Sequence, residues 1–163
     1  MYETAYTIAQ LIVVSGPAAW LATGVWDNLV YPRNNEIFTA QVMSLERMRE
    51  TYPEEYARVS HRAITSRRIQ QAAFRLVVSV ELLATVLLWT AVIATGLSLI
   101  GVVATDTARG LALAGTAVFT SVWMGFLVVG NYFCYWFCHE EGQNTHFQMT
   151  LWGLGTLIFV ALG

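Results

Sequence analysis

Glu81 is the residue whose type and position raise the clearest chemical question in this sequence. It lies about ten residues beyond Gln71, in a stretch that is otherwise apolar up to Ile100 apart from Arg75. A helix rising 1.5 Å per residue would place Glu81 roughly 15 Å along its axis, near the middle of a hydrocarbon layer about 30 Å thick. An ionised carboxylate there costs on the order of 3 kcal/mol or more, so we expect Glu81 to face protein, bind polar partners or stay protonated.

The partners expected for Glu81 are hydroxyl side chains on other spans. If consecutive spans alternate in direction, the hydroxyl groups at its depth belong to Ser15, Thr120, Ser121 and Thr156. A hydrogen-bonded Glu81 would fix the register of the helices, whereas a titrating Glu81 would carry protons or pair with a substrate. Arg75 lies closer to the end of the same apolar stretch, and we expect it to extend to the interface or to pair with Asp27.

Cys134, Cys138 and His139 form the grouping that most resembles a metal site. Thiolate and imidazole ligands suit zinc or copper, and cysteines at positions i and i+4 share a helix face. The spacing is not C-x-x-C, however, and the surrounding segment is aromatic, so we predict no bound metal. The sequence also has no Gly-rich phosphate loop, nucleophile elbow or H-E-x-x-H motif. These observations predict a protein that is not an enzyme and that holds no cofactor.

The composition indicates an integral membrane protein. The chain has 163 residues, of which 56% are hydrophobic and 12% charged, about half the charged fraction of an ordinary soluble domain. We therefore expect one transmembrane domain over residues 1–163. A net charge of −2 gives no basis for a nucleic-acid partner. The expected partners are membrane lipid and other integral membrane subunits.

Four long apolar segments predict an all-α protein with four transmembrane helices in an up-down bundle. We expect spans at about 4–26, 66–101, 107–132 and 146–162, because a helix satisfies its own backbone polar groups in lipid. Residues 27–65 form the one large polar segment and are expected to fold as a cap with two short helices. From Glu36 to Glu50, apolar residues gather on one side of a helical wheel, which suits a helix on the membrane surface or against another subunit.

Small residues follow one face of the third span. Ala117, Ser121 and Gly125 recur at every fourth position, and Gly110 and Ala114 make a further pair. Small side chains at this spacing let helix backbones approach closely, which is how membrane helices associate. We expect neighbours, either within the bundle or from another chain, to cover this face.

Several short motifs occur in the order in which a known bacterial family carries them. They are Asn28, the run 41–46 ending in Glu46, the segment Arg62-Ala-Ile-Thr-Ser66, a glutamate at Glu81, and Gln143. With these motifs the chain resembles the small integral membrane proteins known as domain of unknown function 2165. It departs from them where residues 41 and 46 are glutamine and glutamate rather than histidine and aspartate. The resemblance implies a four-helix fold in the bacterial inner membrane and gives no activity.

Two cues to orientation disagree. Seven of the nine arginines lie between Tyr31 and Arg68, and the positive-inside rule would place that loop in the cytoplasm. The family resemblance implies the opposite topology, with the N-terminus inside and the long loop outside. The cues conflict, and we favour the topology that the resemblance implies, with the N-terminus inside.

Three functional hypotheses follow from these observations. The favoured one is a non-catalytic accessory or structural subunit of a larger bacterial inner-membrane complex. The second is a small proton-coupled carrier or channel that uses Glu81, although four helices leave little room for a pathway and no inverted repeat is visible. The third is a helper protein that handles a metal or a cofactor and is built on Cys134, Cys138 and His139.

Overall fold

The computed structural model describes residues 2–162, which form helices joined by short connections and contain no strand. A 3-10 turn at Ser60–Arg62 separates the short helices of the first loop from the second long helix. The α-helices, in chain order, are α1 (Tyr2–Val30), α2 (Pro32–Met43), α3 (Glu46–Thr51), α4 (Pro53–Val59), α5 (Arg67–Ser98), α6 (Thr105–Tyr132), α7 (Tyr135–Cys138) and α8 (Glu140–Ala161). Helices α2 and α4 both begin with proline. Proline suits the first position of a helix because a backbone N–H there would make no hydrogen bond within the helix, so its absence costs nothing.

Three of the described helices are long and apolar enough to cross a membrane, namely α1, α5 and α6. They overlap the first three expected spans, but α1 continues beyond Trp26 to Val30 and α5 ends at Ser98. The fourth expected span, residues 146–162, falls within α8. That helix begins earlier, with Glu140 and Glu141 in its first turn, so polar residues occupy much of its first half. Whether α8 crosses the membrane stays a prediction.

Helix α6 packs against both α5 and α8, and α1 packs against α5 with a smaller contact to α8. Glycines allow two of these approaches. A Cβ atom added at Gly115 of α6 would lie 3.0 Å from the backbone nitrogen of Leu88 in α5. One added at Gly153 of α8 would collide with the hydroxyl group of Thr120 in α6. The backbones of α5 and α6 are therefore in close contact at Gly115, and the backbone of α8 lies against side chains of α6 at Gly153.

A buried cluster, separate from the contacts among the long helices, joins the first loop to the connection between α6 and α8. It contains Met43, Leu45 and Met48 from the loop, together with Phe133 and Cys134 from the connection. Burying these side chains favours the attachment because apolar surface is removed from water. The loop between α1 and α5 is thus a folded segment that packs on the long helices.

The first loop contains more helices than the two expected, because the segment from Glu36 to Glu50 is not one continuous helix. It breaks at Leu45, whose φ of 53° is in the left-handed region that non-glycine residues seldom adopt. The turn brings Leu45 into the buried cluster, while Ile37 and Phe38 of α2 stay exposed. The single apolar face expected from the helical wheel is therefore divided between two environments.

Candidate functional site

Glu81 is buried, with 5% of its surface exposed, and accepts a hydrogen bond from α1. The Nδ2 group of Asn28 donates to Oε2 of Glu81 at 2.9 Å. Asn35 in turn donates from Nδ2 to Oδ1 of Asn28 at 2.6 Å. Because these three residues belong to α5, α1 and α2, the two hydrogen bonds connect three helices. We call Asn35, Asn28 and Glu81 the amide–carboxyl network.

The four hydroxyl groups expected around Glu81 make no hydrogen bond to it within residues 2–162. Ser15, Thr120 and Ser121 each donate to a carbonyl three or four residues earlier in their own helix, as hydroxyl side chains in helices commonly do. Thr156 is buried, and its hydroxyl group has no partner among the described residues. The hydrogen bonds expected at the depth of Glu81 are thus replaced by one to Asn28.

The sequence misplaces Asn28 because the first span extends further than its apolar stretch. Asn28 is expected in the first loop, whereas α1 continues through it to Val30 and carries it alongside α5. One signal was available, since Asn28 and Asn35 are seven residues apart and Asn28 belongs to a family motif. That spacing corresponds to about two helical turns, although a short break at Tyr31 separates α1 from α2.

An open groove of about 450 Å³ lies beside the amide–carboxyl network, between the end of α1, the start of α2 and the first half of α5. Its volume is within the range of roughly 300–1,000 Å³ that is usual for small-molecule sites. The polar part of its lining is formed by Asn28, Glu36, Gln71, Arg75 and Ser79. The apolar part is formed by Leu29, Pro32, Phe74 and Val78.

The two charged residues in this groove differ in their partners. The carboxylate of Glu36 lies 2.6 Å from the guanidinium group of Arg67. Arg75 is exposed, and no carboxylate of the described residues lies within 4.0 Å of it, so the suggested pair with Asp27 is not formed. In the groove, Glu36 is therefore paired with an arginine, whereas Arg75 has no acidic partner among the described residues.

The small residues of the third span lie on an open face of α6. Ala117 and Ser121 are exposed, and a Cβ atom added at Gly125 would meet nothing within 4 Å. The same holds for Gly110, and Ala114 is exposed. We call these five residues the small-residue face. No other helix of the described chain covers it, whereas Gly115, on another side of α6, packs against α5.

The cysteine cluster has few features of a metal site. Both cysteines are free, and the described part of the chain has no group of three or more His, Cys, Asp or Glu side chains placed to hold a metal. Burial raises the pKa of the Cys138 thiol, and the charge of Glu140 raises it further. Burial lowers the pKa of His139, as does the nearby Arg47. The thiolate is the form that binds a metal, so the raised pKa disfavours a metal at Cys138. The absence of a bound metal stays a prediction.

The family-motif residues have unequal structural roles. Asn28 belongs to the amide–carboxyl network. Arg62 donates a hydrogen bond to the backbone carbonyl of Tyr132 at 3.3 Å. Its guanidinium group also lies 5.5 Å from the centre of the Tyr132 ring. It therefore attaches the first loop to the end of α6. Glu46 begins α3 and Gln143 lies in α8, and both are half-buried.

The three long apolar helices and their connections define an integral membrane protein that crosses the membrane more than once. The chain belongs to the family described as predicted small integral membrane protein (DUF2165), whose profile matches residues 6–163. That description indicates no catalytic activity. No curated protein and no solved structure matches the chain.

Proposed function

We propose that this protein is a non-catalytic accessory subunit of a larger complex in the bacterial inner membrane. In this proposal the small-residue face of α6 binds a transmembrane helix of another subunit. The observation that carries the proposal is the exposure of Ala117 and Ser121 beside the open position at Gly125. Membrane helices associate where small residues let two backbones approach, and this face has that pattern without a partner among the described residues.

The proposal includes α8 as a fourth span, so that α1, α5, α6 and α8 form a four-helix bundle. Its support is the packing of α8, since Gly153 lies against Thr120 and Val160 is fully buried in a cluster of apolar side chains from α1, α5 and α6. Tyr6 of α1 also donates a hydrogen bond to the carbonyl of Phe159. A helix attached in this way to two apparent spans is best accommodated beside them in the bilayer.

The experiment that tests the subunit role is purification in a mild detergent, followed by quantitative mass spectrometry of the proteins that remain bound. Ser121→Leu and Gly125→Leu are the test variants, because a leucine on either position would hold a neighbouring helix away. Gly155→Leu is the matched control, since Gly155 is also exposed, lies in a long helix and has nothing within 4 Å of its Cβ position.

The expected result is recovery of another integral membrane protein with the wild-type chain and with the control. Both test variants should recover it at a level reduced at least about tenfold, corresponding to about 1.4 kcal/mol. Equal recovery with all four chains would contradict the proposed face. Association only between copies of this chain would contradict the accessory role.

A proton-coupled carrier is the second candidate, and one observation favours it. Asn28 both binds Glu81 and lines the groove, so the partner of the buried carboxyl group is accessible from outside the helices. A change in the charge of Glu81 would change the strength of the hydrogen bond that Asn28 donates to it. Proteoliposomes with a pH gradient and an internal pH dye would test this candidate, which requires a proton flux that Glu81→Gln abolishes.

A further inference from the structure

We propose that the groove between α1, α2 and α5 binds the phosphate group of an anionic phospholipid, with Arg75 as the residue that pairs with it. This site is separate from the small-residue face and does not depend on the proposed subunit role. A lipid headgroup and a free phosphate ion would both place a phosphate beside the guanidinium group. The apolar lining of the groove favours the lipid.

The charge distribution supports an anionic ligand. Three acidic residues are near the groove, but none of them forms an ion pair with Arg75. Glu36 is paired with Arg67 at 2.6 Å, and Glu81 lies behind Asn28, which donates to it. Asp27 is exposed and does not come within 4.0 Å of Arg75. A planar guanidinium group can donate two parallel hydrogen bonds to phosphate oxygens, so an anion would supply what the described residues do not.

The positions beside Arg75 add a second donor. Gln71 and Ser79 are one helical turn before and after Arg75, so all three line the groove along one side of α5. The hydroxyl group of Ser79 is already used, since it donates to the carbonyl of Arg75 at 2.9 Å. The side-chain amide of Gln71 makes no hydrogen bond to any described residue, which leaves it free to donate to a phosphate oxygen.

The place of Arg75 in α5 favours a lipid as the source of the phosphate. Arg75 is two turns from the start of α5 at Arg67, which is roughly 12 Å along the axis, and it lies within the segment that can cross a membrane. Leu29, Phe74 and Val78 form the apolar part of the same groove. A phosphate that reaches Arg75 from the interface would therefore bring an acyl chain with it. Basic pockets beside transmembrane helices are a known mode of binding anionic headgroups.

Native mass spectrometry of the full-length protein in a non-ionic detergent tests this proposal. The protein is titrated with dioleoyl phosphatidylglycerol, with dioleoyl phosphatidylcholine, and with inorganic phosphate. The two lipids share their acyl chains and differ in net charge, whereas inorganic phosphate has the anion without the chains. Arg75→Gln removes the charge, and Arg75→Lys keeps it without the planar geometry. Arg68→Gln is the control, because Arg68 is an exposed arginine of the same helix outside the groove lining.

We expect saturable binding of phosphatidylglycerol that is weakened about tenfold or more by Arg75→Gln, as the loss of a charge-assisted hydrogen bond predicts. Arg75→Lys should have an intermediate affinity, and Arg68→Gln should stay within about twofold of wild type. Gln71→Ala should also weaken binding, although it changes no charge. Thermal unfolding of each variant verifies that it is folded.

Three results would overturn the proposal. One is equal binding of the two lipids by the wild-type protein. Another is an affinity for phosphatidylglycerol that Arg75→Gln leaves unchanged. The third is Arg75-dependent binding of inorganic phosphate without binding of phosphatidylglycerol, which would assign the groove to a soluble anion.

Discussion

Asn28 donates a hydrogen bond to Glu81 over 2.9 Å, and this contact joins the C-terminal end of α1 to the apolar part of α5. It gives the buried carboxyl group a partner whose amide can donate whether that group is ionised or neutral. Asn35 holds the same amide from the side of α2. The network thus explains how a carboxyl group can be accommodated among apolar side chains without a charged partner.

Replacing Asn28 should destabilise the fold. Asn28→Ala removes the donor to Glu81 and leaves a buried carboxyl oxygen without a partner, which costs about 1–3 kcal/mol. The free energy of unfolding in detergent, measured by denaturant titration, tests this value. Asn34→Ala is the matched control because Asn34 is exposed, and it should change stability by no more than about 0.5 kcal/mol. Equal effects of the two replacements would show that the hydrogen bond contributes nothing.

Glu81 itself should tolerate an amide better than an alkyl group. In Glu81→Gln the amide oxygen can still accept the hydrogen bond from Asn28, so we expect a change within about 0.5 kcal/mol. Glu81→Leu removes the acceptor and leaves the amide of Asn28 unpaired, at a cost of about 1–3 kcal/mol. The same unfolding titration distinguishes them. If glutamine destabilises the protein as much as leucine does, the carboxyl group has a role that an amide cannot replace.

Two glycines on different sides of α6 should respond in opposite ways to alanine. Gly115→Ala places a Cβ atom 3.0 Å from the backbone of Leu88, so α5 and α6 must separate, at a cost of about 1–3 kcal/mol. Gly125→Ala meets nothing and improves helix propensity, so it should be neutral or stabilising by up to about 1 kcal/mol. Thermal unfolding of both variants measures the difference. A destabilised Gly125→Ala would mean that another helix covers this position in the purified protein.

The purified protein should contain no metal at Cys134 and Cys138. The reason is that the spacing of the two cysteines lacks the usual ligand pattern, and burial raises the pKa of the Cys138 thiol, which disfavours the thiolate that a metal binds. Elemental analysis of the protein, purified without chelators, provides the measurement. About one zinc or copper per chain, lost when both cysteines are replaced by serine, would contradict this prediction.

The long helices could be predicted from the sequence, because an apolar run of this length has few alternatives to a helix in lipid. The sequence does not predict which side of α6 faces the other helices. Ala108 and Ala112 repeat at four-residue spacing and are buried, whereas Ala117 and Ser121 repeat at the same spacing and are exposed. In a helix that is apolar on every side, no polar face shows which of two such patterns lies against its neighbours.

The sequence also does not predict that Asn28 is the hydrogen-bond partner of Glu81. If each span ended where its apolar residues end, Asn28 would lie in the loop, and Ser15 and Thr120 would lie at the depth of Glu81. Those hydroxyl groups instead bond to carbonyls of their own helices, and α1 continues far enough to carry Asn28 to the carboxyl group. Helix ends and rotamers decide such contacts, and neither is visible in hydropathy.

Photo-crosslinking in intact membranes is the most direct test of whether the small-residue face binds another membrane subunit. A photoreactive amino acid is introduced at Ser121, and in a parallel strain at Gly155, which is exposed on a different helix. We expect a discrete crosslink from position 121 to one other integral membrane protein, and none to that protein from position 155. Crosslinks from position 121 to lipid alone, or to the same protein from both positions, would contradict it.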